Sequence, residues 1–130
     1  MARCEKKVLL VEDHADTAGL IQKQLSHIGY PTVLVAANGP DALQKAYEEK
    51  PDLILMDISL PGMSGIEVTR RLKADPHTRS IPILAVTVKA MPGDRERCLE
   101  SGCDGYLAKP FLHQQLKVEI EKLLAPPPSD

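Results

Sequence analysis

The sequence predicts an α/β fold of five βα units around an open parallel sheet, and three observations point to it. Short apolar runs of strand length alternate five times with amphipathic segments of helix length. Runs such as Val8–Val11 are continuously apolar, as strands covered by helices on both faces are. Most of the runs also stop abruptly at an acid, a hydroxyl or a lysine.

The first strand, Val8–Val11, ends at Glu12 and Asp13, and a helix from about Asp16 sets Ala18, Ile21, Leu25 and Ile28 at helical spacing before Gly29 stops it. Thr32–Ala36 is the second strand. Gly39-Pro40 opens a helix carrying Ala42, Leu43, Ala46 and Tyr47, with the proline in the first turn and the end set by Pro51. The third strand, Leu53–Met56, runs into Asp57 and then into the turn-rich loop ISLPGMSG. Helix three covers roughly Gly65–Ala74, and the polar stretch ADPHTRS leads to strand four, Ile83–Val86, which ends at Thr87. A short helix from about Pro92 to Ser101 is capped by Gly102, and strand five, Gly105–Leu107, ends at Lys109-Pro110. The last helix, about Leu112 to Leu124, carries one apolar stripe of Leu112, Leu116, Ile120, Leu123 and Leu124.

A chain of 130 residues, 43% hydrophobic and 26% charged, suits one globular domain. Residues 1–125 are assigned to it and residues 126–130, within APPPSD, to a disordered tail. The net charge of -2 offers no basic footprint for nucleic acid. No apolar stretch reaches the roughly 18 residues of a membrane helix, and the opening MARCEKKVLLV is no signal peptide, so the expected location is cytoplasmic. Cys4, Cys98 and Cys103 have neither disulfide nor zinc spacing and read as free thiols.

In an open parallel sheet the ligand site lies outside the carboxyl ends of the strands. Four of those ends carry reactive groups: Glu12 and Asp13, Asp57, Thr87, and Lys109. If strands one, three, four and five are neighbours, three carboxylates meet and need a cation to coexist. Mg²⁺ suits them, because it binds through one or two carboxylates and fills its octahedron with water and phosphate oxygens. Asp57 then serves as a nucleophile toward phosphorus, Glu12 and Asp13 hold the metal, and Thr87 and Lys109 stabilise phosphoryl oxygens. Amides of the SLPGMSG loop add hydrogen bonds to the anion.

Each residue alone has a plainer reading. Asp57 could begin a turn, Glu12 and Asp13 complement a helix dipole, Thr87 cap a helix, Lys109 lie in solvent and Tyr106 pack in the core. The histidines His14, His27, His77 and His113 are scattered and read as surface residues, with His14 beside the acidic pair but facing solvent.

The segments VLLVEDH, PDLILMDISLPGMSGIEV, IPILAVTVKAMPGDRE and GCDGYLAKPF together resemble the response-regulator receiver family of two-component signal transduction, across essentially the whole chain and most closely its single-domain, chemotaxis-regulator-like members. The resemblance implies a doubly wound, flavodoxin-like (βα)5 fold with strand order 2-1-3-4-5. It implies Asp57 as phosphoacceptor, Glu12, Asp13, Asp57 and the Ser59 carbonyl as ligands of Mg²⁺, with Mn²⁺ able to substitute, and Lys109 ahead of a cis Pro110. Thr87 and Tyr106 match the paired switch positions, and the loop bearing Lys89, Ala90 and Met91 would carry the change to a partner surface on the fourth helix, fifth strand and fifth helix. The implied partners are a histidine kinase or histidine phosphotransfer protein upstream and, downstream, a protein target or an acceptor to which the phosphoryl group is passed on, with no nucleic acid or membrane, in a monomer or a phosphorylation-dependent dimer. The family also suggests a bacterial source.

Val88 is larger than the residue usual after the hydroxyl position; its expected effect is to hinder water and lengthen the aspartyl-phosphate lifetime. Other readings are a phosphatase with an aspartate nucleophile, a pseudo-receiver that is not phosphorylated, and a receiver excised from a larger regulator or hybrid kinase. The adjacent acids on strand one disfavour the phosphatase, the intact set of five positions disfavours the pseudo-receiver, and Met1 with the short tail favours a stand-alone protein.

Overall fold

The computed structural model, described for residues 6–60, 62–87 and 93–124, contains five strands and five helices in strict alternation. The strands are β1 (Lys7–Val11), β2 (Thr32–Ala36), β3 (Leu53–Asp57), β4 (Ile83–Thr87) and β5 (Gly105–Ala108). The helices are α1 (Ala15–His27), α2 (Gly39–Glu49), α3 (Gly65–Ala74), α4 (Asp94–Ser101) and α5 (His113–Leu123). The expectations placed on Val88, Lys89, Ala90, Met91, the Pro92 start of helix four and the 126–130 tail lie outside the described residues.

All strand pairs are parallel, in the order β2-β1-β3-β4-β5. This is the doubly wound, flavodoxin-like arrangement. Alternation along the strands divides the core into two layers. Val8, Leu10, Leu53, Leu55 and Leu84 pack with Ile21 and Leu25 of α1 and Leu116 and Ile120 of α5. Leu9, Val11, Ile54, Met56, Ile83 and Ala85 face the other way, toward Ala42 and Ala46 of α2, Val68 and Leu72 of α3 and Cys98 of α4. Cys98 and Cys103 are buried and form no disulfide, and Cys4 lies outside the described residues.

Local chemistry sets the helix ends. Asn38 Oδ1 accepts from the Asp41 N–H at 2.9 Å to cap α2, with Pro40 in its first turn. Ser64 Oγ accepts from the Glu67 N–H at 3.3 Å to cap α3. Gly102, at φ 113°, closes α4 in the left-handed conformation that glycine tolerates best.

Two sequence expectations are corrected. Tyr47 is 50% exposed, its ring meeting that of His77 edge-on 5.2 Å away, because Ala42 and Ala46 already fill the space under α2. Leu112 is 65% exposed, because it precedes α5 as its N-cap, so the buried stripe begins at Leu116. Among the described residues no helix is long and apolar enough to cross a membrane.

Candidate functional site

Parallel register brings the carboxyl ends of β1, β3, β4 and β5 to one edge of the sheet. Val11 lies opposite Met56, Met56 opposite Ala85, and Ala85 opposite Tyr106. Each strand then delivers its polar residue just beyond this row. The Glu12 N–H donates to the Ala36 carbonyl at 2.9 Å, the Ile58 N–H to Val86 at 3.1 Å and the Lys109 N–H to Thr87 at 2.6 Å. The backbone at these polar ends is therefore pinned to the sheet.

Asp57 is only 4% exposed, and its Oδ1 accepts from the Ser59 N–H at 3.0 Å. The same chain reversal brings α3 against the end of β3, where the Gly65 N–H donates to the Ile58 carbonyl at 3.0 Å. A β-carbon on Gly65 would overlap the Asp57 carbonyl oxygen and lie 2.8 Å from Ile58 Cα. The loop can turn this tightly only with glycine there.

Lys109 Nζ donates to Glu12 Oε1 at 2.6 Å and stands 3.9 Å from Asp57 Oδ2. The Lys109–Pro110 peptide is cis. Burial pushes the Glu12 carboxyl up, but Lys109, by hydrogen bond and charge, and His14, through its amide and ring, outweigh burial and hold it below its ordinary value. For Asp57 the balance is opposite. Burial raises its pKa, the Ser59 amide and Lys109 offset only part of that, and the charges of Glu12 and Asp13 add to the rise.

Asp13 Oδ1 is buried and accepts no hydrogen bond, although His14 Nδ1 lies 3.3 Å away. A carboxylate oxygen left in that state beside the buried Glu12 carboxylate fits a hard divalent cation, which the chemistry of the donor set also favours. Donor atoms of Glu12, Asp13 and His14 all lie within 4.8 Å of one another. His14 is 74% exposed, as its sequence position suggests, yet its Nδ1 lies 3.3 Å from both acids.

Thr87 is buried at the end of β4. Tyr106 is half-buried and packs against the core layer under α2, α3 and α4. Since Tyr106 pairs with Ala85 and Thr87 is two residues further on, the two side chains leave the sheet on the same face.

Sequence reasoning missed three features here. One is the Lys109–Glu12 bond, and another is the Gly65 approach, for which the glycine just after the Ser64 cap was the available signal. The third is a meeting of His27 and His113, whose rings lie 4.5 Å apart edge-on although α1 and α5 are distant in sequence.

A parallel five-strand sheet with paired acids, a buried aspartate, a hydroxyl and a lysine at its carboxyl edge defines the receiver class of phosphorylation-operated switches, and the chain belongs to the response regulator receiver domain family, whose model matches residues 8–121. It is accordingly a signalling switch of two-component systems and not a turnover enzyme. Among curated proteins it is 48% identical over 106 residues to the polar-differentiation response regulator DivK of Brucella anthropi, covering 82% of this chain and 85% of that one. The receiver domain of a sensor histidine kinase from Pseudomonas aeruginosa, solved with a magnesium ion coordinated in its active-site cleft, is 38% identical with a TM-score of 0.84, over 92% of this chain and 98% of that one. The chemotaxis protein CheY4 of Vibrio cholerae is 30% identical with a TM-score of 0.86, over 93% and 100%.

Proposed function

We propose that Asp57 is the phosphoacceptor, taking a phosphoryl group from a phosphohistidine on a histidine kinase or phosphotransfer protein in the cytoplasm. The observation that carries this is Asp57 itself: a buried carboxylate held by the Ser59 amide, with an ammonium 3.9 Å from its other oxygen. Ser59 fixes Oδ1, which leaves Oδ2, on the Lys109 side, to attack phosphorus. The new bond is Oδ2–P, the bond broken is P–N of the phosphoimidazole, and the departing imidazole keeps the electron pair.

Glu12, Asp13, Asp57 and the Ser59 carbonyl would hold Mg²⁺, with Mn²⁺ as a substitute. When bound, the ion neutralises charge on the transferring phosphoryl oxygens. Lys109 supplies a second positive charge, and the Thr87 hydroxyl donates to a phosphoryl oxygen. Drawn toward that oxygen, Thr87 vacates space on the face it shares with Tyr106, and the ring turns inward to fill it. The α4-β5-α5 surface changes shape and meets a protein target. That face of the resting structure includes Arg95, Leu99, Tyr106, Glu119 and Lys122 around a shared depression.

Incubation of the full chain with Mg²⁺ and acetyl phosphate, followed by intact mass, tests the reading. One phosphoryl group is gained by the native chain, and none by Asp57→Asn or after chelation of Mg²⁺. Failure to gain it under any condition identifies a pseudo-receiver, and continuous hydrolysis of the donor identifies a phosphatase.

A further inference from the structure

We infer that the cation pocket includes an imidazole ligand, His14 Nδ1, beside the Asp13 and Glu12 carboxylates, and so favours Mn²⁺ and heavier first-row cations over Mg²⁺ more than an all-oxygen pocket would. The inference rests on the cation reading of Glu12 and Asp13 above. It adds a ligand and a selectivity which that reading does not contain.

Geometry carries it. His14 Nδ1 lies 3.3 Å from Glu12 Oε2 and 3.3 Å from Asp13 Oδ1. Neighbouring ligands about 2.1 Å from an octahedral ion lie about 3 Å apart along an octahedral edge. Two of the three donor–donor distances are thus already near the spacing they would have around one shared ion, and all three donors lie within 4.8 Å of one another. Glu12 Oε1 is occupied by Lys109, so Oε2, which the His14 amide and ring both meet at 3.3 Å, is the oxygen that would turn to the ion. The buried Asp13 Oδ1 accepts no hydrogen bond.

The backbone holds His14 in place, with its ring turned toward the two acids. The residue is the N-cap of α1, in extended conformation at φ -94° and ψ 116°, and its N–H donates to Glu12 Oε2 at 3.3 Å. Its side chain makes no helix-cap bond and is 74% exposed, so small ring rotations toward an ion cost little packing. Imidazole suits the later first-row cations, whereas Mg²⁺ prefers carboxylate, carbonyl and water oxygens.

The probe is Mn²⁺ alone, added to the metal-free full chain and followed by electron paramagnetic resonance at one fixed, mildly alkaline pH. Free Mn²⁺ gives the affinity, Mg²⁺ competition gives the preference, and spin-echo modulation detects a directly bonded nitrogen. The native chain shows nitrogen modulation, His27→Asn retains it, and His14→Asn loses it with a roughly tenfold fall in the Mn²⁺-to-Mg²⁺ affinity ratio. Mn²⁺ binding that needs Asp13 but shows no nitrogen, or nitrogen that survives in His14→Asn, overturns the His14 inference and leaves the cation reading intact. Absence of saturable Mn²⁺ binding, or binding indifferent to Asp13→Asn, overturns both.

Discussion

Lys109 is hydrogen-bonded to Glu12 and only ion-paired with Asp57: its ammonium is 2.6 Å from Glu12 Oε1 and 3.9 Å from Asp57 Oδ2. The Glu12 side chain is 1% exposed, and Lys109 is the main group, ahead of the His14 amide and ring, that keeps the acid charged inside the protein. Lys109→Met should therefore destabilise the fold by about 3 kcal/mol, because it strands a buried carboxylate. Adding Glu12→Gln should recover much of that loss. A double-mutant cycle by chemical denaturation measures it, and simple additivity of the two losses would show that the bond contributes little.

Asp57 and Glu12 should impose opposite pH dependences on the metal-free protein. The folded pKa of Asp57 is raised above 3.8, so its contribution is fully present below the unfolded value and is lost as pH rises through the folded one. The folded pKa of Glu12 is lowered below 4.5, so its contribution is present above the unfolded value and is lost as pH falls through the folded one. Asp57→Asn should stabilise the metal-free chain at neutral pH, on the order of 1 kcal/mol, and the gain should vanish in acid. Mg²⁺ should raise the melting temperature of the native chain more than that of Asp57→Asn. Thermal melts across pH, with and without Mg²⁺, check both, and a native chain whose melting ignores Mg²⁺ would contradict the second.

Two glycines in helices should respond oppositely to alanine. Gly19, in α1, has nothing within 4 Å of where a β-carbon would sit, so Gly19→Ala should stabilise by about 0.5–1 kcal/mol through helix propensity. At Gly65 the same propensity favours alanine, but the overlap is with the backbone of Asp57 and Ile58, which has no rotamer with which to yield. Gly65→Ala should cost about 2 kcal/mol and slow phosphoryl uptake several-fold, because the end of β3 must shift. Denaturation midpoints and uptake from acetyl phosphate report both effects.

Thr87→Ala should separate phosphorylation from its consequence. Uptake at Asp57 should persist at a reduced rate, while the Tyr106 ring resonances, which move on phosphorylation of the native chain, should stay at their resting shifts. Equal movement of Tyr106 in the variant would remove Thr87 from the switch.

Fold and site differed in how far the sequence disclosed them. Strands buried on both faces announce themselves as unbroken runs such as Leu53–Met56, and Asn38, Ser64 and Gly102 mark helix ends by local chemistry. The candidate site residues were legible because most stand at or just past a strand end, with Glu12 and Asp13 after β1, Asp57 and Thr87 closing β3 and β4, and Lys109 after β5. What was hidden depends on side-chain direction across the sheet. Which acid takes Lys109, how His14 turns back to the acids, and the contact of His27 with His113 are set by packing between distant segments. Tyr47 and Leu112 misled because apolar character places a residue inside only where the helix surface still has room.

The site is assembled in a fixed order as the chain is made. Glu12 and Asp13 emerge first, Asp57 and Thr87 next, and Lys109, which lies 97 residues after Glu12, last of these residues. Until β5 joined the sheet, Glu12, Asp13 and Asp57 would lack the charge of Lys109, and their mutual repulsion would oppose closure of the pocket. Arrival of the last strand supplies the balancing charge, so a chain released early should be unable to accept a signal.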